Sequence, residues 1–242
     1  MSDFSDVLHN LAPTGELRVA INYGNPVLAQ RHASDNFPQG VSADLAREIA
    51  RRLGVVPRFI SYDAAGKVFE GLDTNTWDLA FLAVDPVRAE KIAFTKPYVL
   101  IEGTYLVAES APFQSVVDLD QDGLRIAVGK GAAYDLYLSR ELKHASIERA
   151  ATSPAAITLF VDRNLDAAAG VRQPLEAYAQ THSGYRVLDD AFTTIQQAVA
   201  VPKGRDLAQA WLENFVAEMK RTGFIEEALQ RSGQTAATVA PE

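Results

Sequence analysis

Asp85-Pro86-Val87-Arg88-Ala89-Glu90-Lys91 has the residue types and spacing to hold a small anion. It follows the apolar run Ala80–Val84 and precedes Phe94-Thr95-Lys96-Pro97-Tyr98. An arginine in a turn just past a strand end can aim its planar fork at a carboxylate through two parallel hydrogen bonds. The competing use of Arg88 is a surface ion pair with Asp85 or Glu90, worth about 0–1 kcal/mol.

A second candidate is Val128-Gly129-Lys130-Gly131-Ala132-Ala133-Tyr134, where a strand passes into a helix. Tyr134 stands at the third glycine of a dinucleotide fingerprint, and no acidic ribose partner follows. Gly123 is one residue too far for a phosphate loop, and Gly131 stands where Ser or Thr would follow the lysine. What remains at Gly131, Ala132 and Ala133 is a set of helix-start N–H groups and a positive helix end, which suit a carboxylate. A tight turn alone accounts for the glycines equally well.

Other chemistries are excluded by what is missing. His9, His32, His144 and His182 form no i, i+4 pair and have no carboxylate at metal spacing. There is no G-x-S-x-G elbow. The chain has no cysteine, which removes thiolate metal sites, iron–sulfur clusters, disulfide scaffolds and cysteine nucleophiles together. No metal, cofactor or catalytic residue is therefore expected.

The elements that must position these residues follow from periodicity. Leu17–Ile21 reads as a buried strand broken by Asn22-Tyr23-Gly24-Asn25-Pro26. Ser42 can cap a helix whose apolar residues Leu45, Ala46, Ile49, Ala50 and Leu53 recur at helical spacing until Gly54. Val55–Ile60 reads as a strand, 64–72 as a short helix, Trp77–Leu82 as a strand and Pro86–Lys91 as a helical turn. This alternation is the pattern of a parallel sheet with helical crossovers. It restarts with strand Leu124–Val128, helices Ala132–Leu142 and Pro154–Val161, strand Leu165–Ala169 and helix Pro174–Gln180. Leu207, Ala208, Trp211, Leu212, Phe215, Val216 and Met219 then form an amphipathic stripe ended by Gly223. Extended crossings near 103–108 and 196–201 would make the second α/β unit an insertion in the first. No internal repeat is evident, and the tail from Ser232 reads as polar and loose.

The 242 residues are 48% hydrophobic and 22% charged, as in an ordinary folded protein. Lys plus Arg is 23 against 31 Asp plus Glu, a formal charge of −8. That balance argues against a general nucleic-acid binder. No apolar stretch approaches the ~20 residues of a membrane-spanning helix. Met1-Ser2-Asp3-Phe4-Ser5-Asp6 has neither the basic nor the apolar region of a signal peptide. Either an export signal has been removed or the protein stays in the cytoplasm.

From about Gly15 to Gly233 the chain resembles the type II periplasmic solute-binding proteins, in the polar amino-acid branch (family 3) of ABC uptake systems. Four stretches carry the likeness. They are Gly40-Val41-Ser42-Ala43-Asp44-Leu45, the run from Trp77-Asp78-Leu79 through Arg88 to Tyr98, Val128-Gly129-Lys130-Gly131, and Leu165-Asp166-Ala167-Ala168. The resemblance implies an α/β fold of two lobes, each a mainly parallel sheet flanked by helices, joined by a two-strand hinge. Lobe 1 would take residues 1–103 plus 200–242, and lobe 2 residues 104–199. A ligand would lie in the cleft and be buried by hinge closure. Arg88 would clamp its carboxylate, and the helix start at Gly131–Ala133 would share that anion.

The sequence departs from the family pattern at three places, one being that the strand leading to Arg88 is shortened by about two residues. Val171 stands where an aspartate usually holds the ligand's α-ammonium, and Ala83 where a hydroxyl residue is common. Losing that charge-assisted bond costs about 1.5–3 kcal/mol, a tenfold to hundredfold change in affinity at ~1.4 kcal/mol per decade. Either Asp85 or Glu176 takes over the ammonium, or the ligand is a carboxylate without an α-amino group. Arg172 would favour a second anionic group, or is simply a solvated helix start. Asn22, Tyr23 and Asn25 would line the near wall, although turn chemistry explains them too.

The expected function is a monomeric solute-binding protein for an amino acid or related organic acid, periplasmic and served by a membrane permease. One alternative is an enzyme resembling cyclohexadienyl dehydratases, with Glu176 as the acid. The other is a cytoplasmic ligand sensor.

Overall fold

The computed structural model describes residues 4–34 and 37–241. Met1-Ser2-Asp3, part of the stretch read for a signal peptide, lies outside them. Among the described residues no helix is long and apolar enough to cross a membrane. The chain divides into two compact units, Met1–Leu100 with Gln196–Glu242 (unit 1) and Ile101–Ile195 (unit 2).

In chain order, unit 1 begins with α1 (Phe4–Leu11), β1 (Leu17–Asn22) and a two-residue ribbon of β2 (Gln30–Arg31) and β3 (Pro38–Gln39). Then come α2 (Val41–Leu53), β4 (Pro57–Tyr62), α3 (Ala65–Glu70), β5 (Leu79–Ala83), a 3₁₀ turn Arg88–Glu90 and β6 (Ile92–Phe94). Strand β7 (Val99–Ala108) carries the chain into unit 2. There follow β8 (Arg125–Gly129), α4 (Ala133–Glu141), β9 (Ser146–Ala150), α5 (Ser153–Asp162), β10 (Ala167–Val171), α6 (Arg172–Thr181) and β11 (Tyr185–Val187). Strand β12 (Thr193–Pro202) returns to unit 1, which ends with α7 (Asp206–Arg221), α8 (Phe224–Arg231) and β13 (Thr238–Val239).

In unit 1, β1 lies parallel between β4 and β5, and β12 pairs antiparallel with β5. Strand β5 is buried at all five residues, the continuous apolar run of a central strand covered on both faces. Helix α2 buries Leu45, Ala46, Ile49, Ala50 and Leu53 and stops at Gly54, whose left-handed φ of 69° lets its N–H reach the last-turn carbonyls. The expected cap at Ser42 is corrected. Gly40 holds the cap position with no side-chain bond, and the Ser42 hydroxyl pairs with the Tyr98 hydroxyl at 3.1 Å. The tail is not loose throughout, since β13 pairs with Val99 and Leu100 at the start of β7.

Unit 2 repeats this construction. Strand β8 lies parallel between β9 and β10, and β7 pairs antiparallel with β10. In unit 1 the Asp78 N–H donates to the Arg18 carbonyl at 2.8 Å, and its carboxylate accepts from the Arg18 N–H at 3.1 Å. In unit 2 the Asp166 N–H donates to the Arg125 carbonyl at 3.0 Å, and its carboxylate accepts from the Arg125 N–H at 2.7 Å. Counting on from each aspartate, Asp85-Pro86 and Arg88 in unit 1 fall where Gln173-Pro174 and Glu176 fall in unit 2. The repeat that is not evident in the sequence is carried by backbone geometry and few identical residues.

Each unit has its own core. Trp77, Leu82, Ile92 and Val68 centre the first, and Leu106, Phe160, Leu165 and Leu175 the second.

Candidate functional site

Two groups of candidate residues assemble, one in each unit, at the carboxyl ends of adjacent parallel strands. In open α/β sheets this is where ligands bind. Asn22, Tyr23 and Asn25 end or follow β1, while Ala83, Asp85 and Arg88 end or follow β5. In unit 2, Gly131, Ala132 and Ala133 follow β8, and Val171, Arg172 and Glu176 end or follow β10.

Arg88 is 1% exposed and Asp85 3%, and charged residues are seldom buried this far. The strand lifts both off its end and the tight turn folds them back. Asp85 Oδ1 accepts from the Val87 N–H at 2.9 Å, and the Arg88 Nη1 donates to the Ala83 carbonyl at 3.0 Å. Burial lowers the Arg88 guanidinium to about 10, opposed by the charge of Asp85. It is still a cation at neutral pH. Exposed Val84 and Val87 flank the turn. The turn therefore buries a guanidinium and a carboxylate together behind an apolar rim.

The asparagines do turn chemistry. Asn22 Oδ1 accepts from the Gly24 N–H at 2.9 Å, and Asn25 Oδ1 from the Val27 N–H at 3.2 Å. Tyr23 differs. Its hydroxyl is buried with no hydrogen-bond partner, and the guanidinium of Arg31 lies 4.0 Å above its ring. Arg31, on the β2–β3 ribbon, went unnoticed in the sequence because nothing but its distance to Tyr23 marks it.

In unit 2 the helix start is partly used by the chain itself. The Gly131 N–H donates to Asp135 Oδ2 at 2.7 Å and the Ala132 N–H to the Gly129 carbonyl at 3.1 Å. Arg149 also donates to Asp135, at 3.0 Å. The Arg172 guanidinium pairs with Glu102 and donates to the carbonyls of Leu188, Asp189 and Asp190 at 3.0, 2.9 and 3.0 Å. Its donors tie down the 188–190 segment. Glu176 lies 3.7 Å from Arg172 with its side chain 43% exposed. Val171 caps α6 without a side-chain bond. Between Arg172 and Glu176, Gln173 holds its amide oxygen Oε1 buried with no hydrogen-bond partner. In the sequence only the correspondence of Asp85-Pro86 with Gln173-Pro174 marks Gln173. Among the described residues no three His, Asp or Glu gather as a metal site.

A buried arginine past a central strand, in each-unit sheets of this topology, defines a class that the family comparison states outright. The chain belongs to the bacterial extracellular solute-binding proteins, family 3, whose model matches residues 17–234. Its fold is similar to that of the solute receptor for L-cysteine of Neisseria gonorrhoeae, with a TM-score of 0.80, 20% identity, and 94% of this chain and 92% of that one covered. An amino acid ABC transporter substrate-binding protein from Streptococcus pneumoniae, bound to L-arginine, aligns at 0.78 and 20% identity, covering 97% and 99%. The ancestral amino acid-binding protein AncCDT-1, a precursor of cyclohexadienyl dehydratase, aligns at 0.76 and 23%, covering 93% and 97%. No curated protein matches the sequence.

Proposed function

We propose that this solute-binding protein holds a small carboxylate ligand, an amino acid or a related organic acid, for a membrane ABC permease on the outer side of the cytoplasmic membrane. The observation that carries this reading is Arg88, a guanidinium almost wholly buried at the carboxyl ends of β1 and β5. Its desolvation is met when the chain folds, so an anion gains a preorganised cation in a low-dielectric setting. Tyr23 supplies a buried hydroxyl and ring to the same strand ends. The similar structures named above bind amino acids by their own descriptions, which supports the ligand class.

The dehydratase alternative gains nothing from Glu176. A general acid needs apolar surroundings to raise its pKa toward neutrality, and Glu176 is 43% exposed beside an arginine.

The test is a thermal-shift screen against L-amino acids, 2-oxo and 2-hydroxy acids, dicarboxylates and aromatic acids. A ligand at one hundred times its Kd stabilises by about 2.7 kcal/mol, which raises Tm by roughly 5–11 °C for a chain of this size. The shift should vanish in Arg88→Ala and shrink in Arg88→Lys, with circular dichroism confirming that both fold. A flat screen of the unaltered protein overturns the reading.

A further inference from the structure

The guanidinium of Arg31 lies 4.0 Å above the Tyr23 ring and makes no ion pair or hydrogen bond among the described residues. Its place in unit 1 follows from strand register. Strands β1 and β5 run parallel with Val19 beside Leu79 and Ala20 beside Ala80, so three residues on Tyr23 stands level with Ala83. The Ala83 carbonyl accepts from Arg88, and neighbouring strands lie about 4.8 Å apart. Two arginines therefore share one end of the unit 1 sheet. Arg88 has a carboxylate, Asp85, buried in its own turn. Asp63, just past β4 at the same end, is paired with Lys67. Arg31 is left as the uncompensated charge. The side chains after β1 are also short of acceptors. Asn22 Oδ1 and Asn25 Oδ1 are spent on the Gly24 and Val27 N–H groups, which leaves their amide nitrogens to donate. The buried Tyr23 hydroxyl has its proton to give as well.

Resting on the solute-binding reading above, we propose that Arg31 is a specificity-determining residue that selects ligands with a second negative group, the dicarboxylic acids and the acidic amino acids. A carboxylate beside the Tyr23 ring meets a guanidinium already held there by cation–π attraction, and charge-assisted bonds are the strong ones. An ammonium or guanidinium on the ligand meets the reverse. The ring face is covered by a like charge, and the side chains after β1 have no acceptor left to offer. The Streptococcus pneumoniae protein named above holds L-arginine; a ligand of that charge is what Arg31 turns away here.

The experiment is isothermal titration of the full chain with pairs that differ only in the second carboxylate. These are L-glutamate against L-glutamine, L-aspartate against L-asparagine and succinate against succinamate, with L-arginine and L-lysine as cationic probes. The unaltered protein should bind the dianionic member of its preferred pair about tenfold or more tighter than the amide, and the cationic probes more weakly than either. Raising the salt concentration should narrow the ratio. Arg31→Gln should bring the pair together, Arg31→Lys should keep part of the preference, and Arg31→Glu should reverse it. Equal binding of acid and amide by the unaltered protein overturns the assignment, as does tighter binding of L-arginine or L-lysine. So does an acid-to-amide ratio unchanged in Arg31→Gln. In each of these cases Arg88→Lys still weakens binding if the solute-binding reading stands. If the pairs and probes all fail to bind while another carboxylate does, the assignment alone falls; if no carboxylate binds, both fall.

Discussion

Asp78 holds Arg18 by three hydrogen bonds at once. The backbone N–H and Nε of Arg18 donate to Oδ2 at 3.1 and 2.8 Å, and Nη2 donates to Oδ1 at 2.9 Å. Arg205 adds a fourth donor on Oδ1 at 2.9 Å and fastens the start of α7 to the carbonyl of Leu11. Burial pushes the fully enclosed Asp78 carboxyl up, but the bonds from Arg18 and Arg205 outweigh it and hold the group below the usual carboxylate range.

Asp78→Asn should therefore destabilise the protein by about 3–5 kcal/mol, the cost of breaking a buried pair from one side. A urea midpoint checks this. Because the folded carboxyl titrates below its unfolded value of about 3.9, its contribution is complete above that pH and is lost as pH falls through the folded value. The difference between native protein and Asp78→Asn should narrow over that acid range. A constant difference down to pH 2 would sink the argument.

Arg172→Ala should lower stability and leave ligand affinity nearly unchanged. The substitution strips the donors from the carbonyls of Leu188, Asp189 and Asp190; the Asp189 and Asp190 carbonyls are exposed and turn to water, so the loss is about 1–3 kcal/mol for the partly buried Leu188 carbonyl alone. Calorimetric melting together with a binding titration separates the two effects. A tenfold loss of affinity at unchanged Tm would return Arg172 to the ligand.

Gly24→Ala should cost about 1–3 kcal/mol through overpacking. A Cβ there would run into the Asp63 carbonyl oxygen and lie 2.9 Å from Asn22 Oδ1. The turn that carries Tyr23 would have to shift, so ligand affinity should fall alongside stability. An unchanged urea midpoint would show that the turn gives way freely.

Trp77→Phe should cost about 1–3 kcal/mol. Trp77 is fully buried, and its Nε1 donates to the Val68 carbonyl at 2.8 Å, an acceptor that phenylalanine leaves orphaned. The chain has two tryptophans, so the fluorescence left in the variant belongs to Trp211. Unfolding followed by that signal gives the comparison directly.

Much of the architecture was legible because central strands and amphipathic helices announce themselves. Leu79–Ala83 is one apolar run, and the α7 stripe repeats at helical spacing. Strand β9, Ser146–Ala150, was missed because it pairs on one side only and none of its residues is fully buried, so no apolar pattern marks it. Trp77 and Leu165 looked like strand residues, yet both precede their strands as core plugs. Hydrophobicity alone does not separate a plug from a strand. Arg88 was legible from its place after a strand. The unpartnered oxygen of Gln173 was not, because a missing hydrogen bond leaves no trace in a sequence.

The braces at Asp78 and Asp166 also place one unusual proton in each half of the molecule. The amides of Arg18 and Arg125 each enter a central strand already bound to a carboxylate. In deuterated water these two protons leave only when that brace opens. Their exchange rates, read side by side in one sample, therefore time the opening of each half separately and show whether the protein comes apart in one event or in two.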